Sequence, residues 1–243
     1  MTSHYFRKVR SYFLFSVALS YLLASGCTST KTLKQTETNT MQEATIALPT
    51  PRLKGEISLE ETLQNRRSIR EYKSTPLKLD EVSQLLWAAQ GITSDWGGRT
   101  APSAGALYPL EVYLVAGKVE GLVGGIYRYI PSGHQLVKLK DGDSRDKLSE
   151  GALNQSCVAD APISLVITAI YERTTVKYGD RGIMYVHLEA GHAAQNICLQ
   201  AVALGLGAVP VGAFEDQKVI DVIGMNKSEA PLYIISIGKI GMP

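Results

Sequence analysis

The segment Met184–Gly207, "MYVHLEAGHAAQNICLQAVALGLG", constrains the fold more than any other stretch. It reads as one long helix, apolar on much of its circumference. Such a helix has to be covered on several sides and is therefore central. The material that can cover it is mostly strand. "LEVYLVAG" and "APISLVITAIY" are continuous apolar runs, while "GGIYRYI" and "HQLVKLK" alternate around a turn at Pro131, Ser132 and Gly133. "AVPVGAF" and "PLYIISIGK" close the chain, with a helix "DQKVIDVIG" between them. Strands and helices mixed in this order, with one hairpin, predict an α+β domain around a single sheet.

Three further helices are expected. Leu59 to Asn65 carries Glu60 and Glu61, which favour a first turn. "LDEVSQLLWAAQG" is amphipathic, with Asp80 as the expected N-cap and Gly91 as its stop. "SRDKLSEGAL" is a short one. Between them, Thr93 to Pro109 is a 17-residue stretch with little pattern. A connection that long without structure of its own is functional or disordered as a rule.

The N-terminal quarter is of a different kind. Residues 1–27 have a cationic start at His4, Arg7, Lys8 and Arg10, then an uncharged run of 13 residues from Tyr12 to Ala24, then "ASGC". The run is short for a membrane span and suits a signal h-region. The "ASGC" ending resembles a lipoprotein lipobox, which makes Cys27 the expected lipidated residue and the cell envelope, outside the cytoplasm, the expected location. A start at Met41 would instead leave the protein cytoplasmic, and the order of the leader argues against that. Residues 28–54 are rich in Thr, Gln, Lys and Glu and read as a flexible tether, leaving 55–243 as the folded domain. Removing the leader's three cations from the chain's 25 leaves 22 basic against 23 acidic residues. That balance gives no reason to expect nucleic acid as a partner. Cys157 and Cys198 lie 41 residues apart without paired spacing. This argues against zinc and for two buried free thiols.

Several chemistries are excluded by spacing. His187, Glu189 and His192 contain one Glu-x-x-His, but a di-iron site needs a second such pair, and two histidines five apart do not share a helix face. Hydrogen-bonded core or interface residues are the expectation, with no metal. "GLGAVPVG" closes a helix and opens a strand, the reverse of a dinucleotide-binding turn. Ser103 in "PSAGA" lacks the setting of a hydrolase nucleophile. What remains is "NRRSIREY", with three arginines within five residues, and the small-residue loop. Arg66, Arg67 and Arg70 offer forked donors for a phosphate. Ser103 to Ala106 offer main-chain N–H groups with little side-chain bulk, so a flat ring can approach. A phosphate joined to a flat ring describes FMN; a solvated helix end beside a glycine-containing loop is the other reading.

A resemblance favours the first. "NRRSIREY" resembles the opening motif of the nitroreductase family of FMN-dependent oxidoreductases. "PSAGALYPLEVYLV", "VKYGDRG" and "LEAGHAAQN…GLG…VG" are similar, in the same order, to its SagB-type branch, the azoline dehydrogenases. The resemblance implies a nitroreductase-like fold, a mainly antiparallel central sheet flanked by helices, and an intertwined homodimer with FMN at the interface. It implies that Arg66, Arg67, Ser68 and Arg70 bind the FMN phosphate and ring edge, and that Pro102, Ser103, Ala104, Gly105 and Ala106 of the other subunit line the ring. Pro210, Val211, Gly212 and Ala213 match the stretch near flavin N5. Lys177 and Tyr178 match a catalytic Lys-Tyr pair; composition alone favours a surface lysine beside a packed tyrosine, and the resemblance brings the two readings level. There are two departures: Ala106 stands where the family often has asparagine, and a late basic phosphate ligand is missing or replaced by Lys239.

The function this implies is hydride transfer between FMN and a small organic or peptide-derived substrate. The alternative is a non-catalytic flavin-binding or envelope interaction lipoprotein. NAD(P)H is scarce outside the cytoplasm, so oxidising a substrate and returning electrons to an acceptor suits an envelope location better than NAD(P)H turnover.

Overall fold

A computed structural model describes residues 45–241. In chain order its elements are β1 Thr45–Ala47, α1 Leu59–Asn65, β2 Leu77–Lys78, α2 Leu79–Gln90, β3 Leu110–Ala116, β4 Val119–Glu120, β5 Gly125–Ile130, β6 Gln135–Asp141, α3 Arg145–Gly151, α4 Ser156–Asp160, β7 Ile163–Ala169, α5 Glu172–Tyr178, α6 Arg181–Ala203, β8 Leu206–Val211, α7 Asp216–Ile223 and β9 Ala230–Lys239. Seven strands form one sheet in the order β1-β6-β5-β3-β7-β9-β8, with every pair antiparallel. β2 and β4 make a separate parallel pair.

β7 is buried at all seven positions because helices cover both faces of the sheet. Ile163, Leu165 and Ile167 point into a core shared with Val82, Leu85 and Leu86 of α2 and with Val186, Ala190, Ala193, Ala194 and Ile197 of α6. The alanines let the α6 backbone lie close to the sheet. Val166 points the other way, into a second core with Leu148 of α3, Val158 of α4, and Val219 and Ile223 of α7. Alternation thus persists along each strand, but both phases are apolar, which is why the sequence reads as continuous runs. Cys198 lies in the first core and Cys157 in the second, so the sheet separates the two thiols and both are free, as expected.

Polar groups inside the second layer are paired. Tyr113 Oη and Thr168 Oγ1 both donate to Glu229 Oε2, at 2.7 and 2.9 Å, and Ser164 Oγ meets Ser236 Oγ at 3.1 Å.

Four local expectations change. The α2 helix starts at Leu79, not after Asp80. Glu81 Oε2 accepts from Lys78 N at 2.8 Å, and Asp80 sits in the first turn. Gly91 ends α2 in an extended conformation, with φ −61°, not a left-handed one; it is glycine because the Trp87 side chain lies where a Cβ would stand. Within the stretch expected as tether, Thr45–Ala47 pairs with β6, Leu48 enters the core, and Arg52 N donates to Gln84 Oε1 at 2.8 Å. A polar composition hid this because an added edge strand needs only Ile46 and Leu48 to be apolar. Finally, α5 occupies a segment with no predicted element. Its Thr-Thr-Val run is a poor helix former, yet it docks on α6 at Gly182, where a Cβ would come within 3.0 Å of the Thr175 backbone.

Residues 1–44, with Cys27, the leader and most of the expected tether, lie outside the described residues. No helix among the described residues is long and apolar enough to cross a membrane.

Candidate functional site

The arginine segment runs along the edge strand β8. Ser68 bridges Ala208 in parallel register, and Ile69 N donates to Ala208 O at 3.1 Å. The next donor in that ladder would be residue 210, which is proline and has none. Ile69 O instead accepts from Tyr72 Oη at 2.8 Å, and the same phenol donates to Ser236 O at 3.0 Å. Ile69 and Tyr72 are the anchors. A Cβ on Gly207 would stand 2.6 Å from Ile69 Cγ2, and one on Gly238 would stand 2.8 Å from Tyr72 Cδ1, so both strand glycines make room for them. Burial pushes the Tyr72 phenol well above its ordinary range.

With those two side chains turned in, the others are left outside. Arg67, Ser68 and Arg70 are exposed and Arg66 is half-buried. Arg67 Nη1 donates to the carbonyls of Gln64 and Arg66 at 3.0 and 2.8 Å. Among the described residues none of the three guanidinium groups pairs with a carboxylate. That is a donor set waiting for an anion. Lys239 does not join it. Its ammonium pairs with Glu81, which favours the other of the two expectations, a missing late phosphate ligand.

The second group of site residues is the loop before β3. Ala104–Ala106 forms a single 3₁₀ turn, and Gly105, Ala106 and Tyr108 all have positive φ, at 63°, 54° and 47°. Two of these are not glycine, so the conformation is strained and must be held from outside. Ser103 Oγ accepts from Tyr108 N at 2.9 Å, Arg173 Nη1 donates to Tyr108 O at 3.1 Å, and the Arg99 guanidinium lies 4.3 Å over the Tyr108 ring. Arg173 is itself fixed by Glu111 at 2.6 Å.

Lys177 and Tyr178 converge on this loop from α5, not from the irregular connection that the sequence suggests. A Cβ on Gly105 would stand 2.8 Å from Tyr178 Oη and 2.9 Å from Lys177 Nζ. The missing side chain thus lets the ends of both side chains pack directly against the Gly105 backbone. Lys177 Nζ lies 5.3 Å from the Tyr178 ring centroid, and Tyr178 meets Tyr185 edge-on at 5.2 Å.

Pro210 and Val211 end β8, and Gly212 and Ala213 follow as exposed main chain. Gln155 Nε2 fixes this end by donating to Ala213 O at 2.9 Å. A Cβ at Gly212 would make only ordinary contact, 3.6 Å from Tyr233.

Of the histidine–glutamate group, His187 Nε2 bonds Tyr171 Oη at 2.6 Å and His192 is exposed. Among the described residues no cluster suits a metal. Glu189 is the residue whose importance sequence reasoning missed. It is buried, and burial pushes its carboxyl up to about 7, with Ser103 and Arg99 pulling the other way. An acid on an otherwise apolar helix face was the available signal.

The arginines and the β8 end are brought together, as are the loop and the Lys-Tyr pair. Within one chain, however, the two groups attach to different parts of α6. Ser103 lies by Glu189, whereas Arg66 acts on Cys198, nine residues and so about 13 Å further along.

A covered antiparallel sheet, a guanidinium cluster at its edge and a side-chain-poor loop beside a lysine–tyrosine pair are the features of a flavin-dependent oxidoreductase. The chain belongs to the nitroreductase family, whose description matches residues 63–239. It is 49% identical over 184 residues to the Methanocaldococcus jannaschii nitroreductase homologue MJ1384, covering 76% of this chain and 92% of that one. A nitroreductase homologue from Ralstonia eutropha has the same fold, with a TM-score of 0.71 at 31% identity, over 82% of this chain and 90% of that chain. The microcin B17-processing protein McbC of Escherichia coli is 28% identical over 150 residues, which is 58% of this chain and 54% of McbC.

Proposed function

We propose that the protein is an FMN-dependent dehydrogenase of SagB type that oxidises a small or peptide-derived substrate. The observation that carries this reading is the convergence of Lys177 Nζ and Tyr178 Oη on the side of Gly105 where a Cβ would stand. The likeness to the microcin B17-processing protein McbC supports it.

The residues present fit FMN. Arg66, Arg67, Ser68 and Arg70 would hold the phosphate and ring edge, and the main chain of Pro102–Ala106 and Pro210–Ala213 would lie against the ring. When bound, the flavin accepts the hydride. Lys177, as the free amine, would take a proton from the substrate carbon as hydride departs from its neighbour, and Tyr178 would relay or return one. Because the phosphate and ring groups sit apart on α6, a homodimer in which each chain's loop completes the other's site fits best. The purified protein is expected to be yellow, to elute as a dimer and to hold one FMN per subunit. Colourless protein that gains no thermal stability with excess FMN would sink the reading, and bound flavin that neither donor nor substrate reduces would make it non-catalytic.

The "ASGC" leader supports a second proposal, an envelope lipoprotein anchored at Cys27. Cys27→Ala is expected to move the protein from the membrane fraction to a soluble or uncleaved form. Mass spectra showing an unmodified Cys27 inside an intact N-terminal peptide would rule this out.

A further inference from the structure

Behind the Pro102–Ala106 loop, a buried glutamate and a half-buried arginine each keep a buried, unpartnered atom. Glu189 is 2% exposed and its Oε1 has no hydrogen-bond partner among the described residues. Arg99 uses Nη1 on Gln90 Oε1 at 2.9 Å, but its buried Nε is likewise unpartnered. No ion pair joins the two among the described residues. Burying a carboxylate without a partner disfavours its charged form, and that burial holds Glu189 at about 7 against the pull of Ser103 and Arg99. Burial also lowers Arg99, while Glu111, Tyr108 and Glu189 raise it and Arg173 lowers it further. The charged and titratable groups around the pair are Arg99 and Tyr108 from the loop, Glu111 from β3, Tyr129 from β5 and Arg173 from α5. On α6 itself, His192 is exposed.

Both neighbours of Glu189 also hold the strained part of the loop. Arg99 covers the Tyr108 ring, and Ser103 Oγ accepts from Tyr108 N. We propose that Glu189 is a positioning residue with two states: as a neutral acid it shares Ser103 and leaves Arg99 on Tyr108, and as a carboxylate it draws Arg99 onto itself. Releasing Arg99 loosens Tyr108, and with it the left-handed run that presents Gly105 to Lys177 and Tyr178. The inference rests on reading this loop as the one that lines the flavin ring, and it makes flavin binding depend on pH near neutrality.

The test uses the full chain, wild type and Glu189→Gln, titrated with FMN between about pH 6 and about pH 8.5. The wild-type Kd for FMN is expected to change by about fivefold or more across that interval. Glu189→Gln, which keeps the shape but cannot ionise, is expected to hold the acid-side value throughout. Superimposable pH curves would overturn the proposal. Flavin-free wild type is measured alongside, by infrared difference spectra of its carboxyl groups and by the rate of tryptic cleavage after Arg99. A carboxyl that deprotonates near neutrality in step with a changing cleavage rate upholds the switch, even if Glu189→Gln fails to fold. If that result appears in protein that binds no FMN, the switch stands and the flavin reading falls. Absence of any such carboxyl overturns the proposal whether or not flavin binds.

Discussion

Lys177→Ala is expected to slow oxidation of the true substrate by about 10²–10⁴-fold, the usual contribution of a positioned acid–base group, while leaving flavin content unchanged. Lys177 lies on the exposed side of α5, so its removal opens no core cavity. Its amino group reaches the Gly105 backbone because α5 docks on α6 at Gly182 and stops there with Gly179 at φ 55°. Tyr178→Phe keeps the edge-on contact with Tyr185 and removes only the hydroxyl. It is therefore expected to lower kcat without loosening the loop. Loss of flavin along with activity would make Lys177 structural, and unchanged turnover would remove the pair from the mechanism.

The elements of the sheet were legible because their physics is local. Apolar runs, the Pro131–Gly133 turn and the long helix announce themselves by period and length, and β3, β5, β6, β7, β8 and β9 all appear where the pattern puts them. What stayed hidden depends on contacts distant in sequence. Ile46 and Leu48 look like tether until β6 lies beside them. The Thr-Thr-Val of α5 looks like loop until Gly182 gives it a surface.

The same holds in the site. The arginines were visible as a cluster, but Ile69 and Tyr72, which aim them, were not. The signal existed in Gly207 and Gly238, since glycine inside a strand marks a close approach, but nothing local says which side chain approaches. Lys239 looked available as a phosphate ligand because Glu81, 158 residues away in sequence, is its partner only in the fold. Glu189 read as a core or interface residue. Its burial was foreseeable from the apolar helix around it, but that both it and Arg99 keep an unpartnered buried atom was not.

Arg70→Ala is expected to weaken FMN binding by roughly ten- to a hundred-fold, equivalent to about 1.5–3 kcal/mol for one hydrogen bond to a charged group. The position suits a clean test. Ile69 and Tyr72 pin the backbone on either side of Arg70 without using its side chain. No carboxylate among the described residues pairs with it, so the substitution leaves no buried charge behind. The loss therefore belongs to the ligand and not to the fold, and the apo protein is expected to keep its melting temperature. Lys239→Ala provides the contrast. It breaks an ion pair with Glu81 and is expected to alter stability while leaving FMN affinity close to wild type. Titration of both variants with FMN, followed by flavin fluorescence, separates the two roles. Equal affinity in Arg70→Ala and wild type, or a larger loss in Lys239→Ala, would move the phosphate site away from the arginine segment.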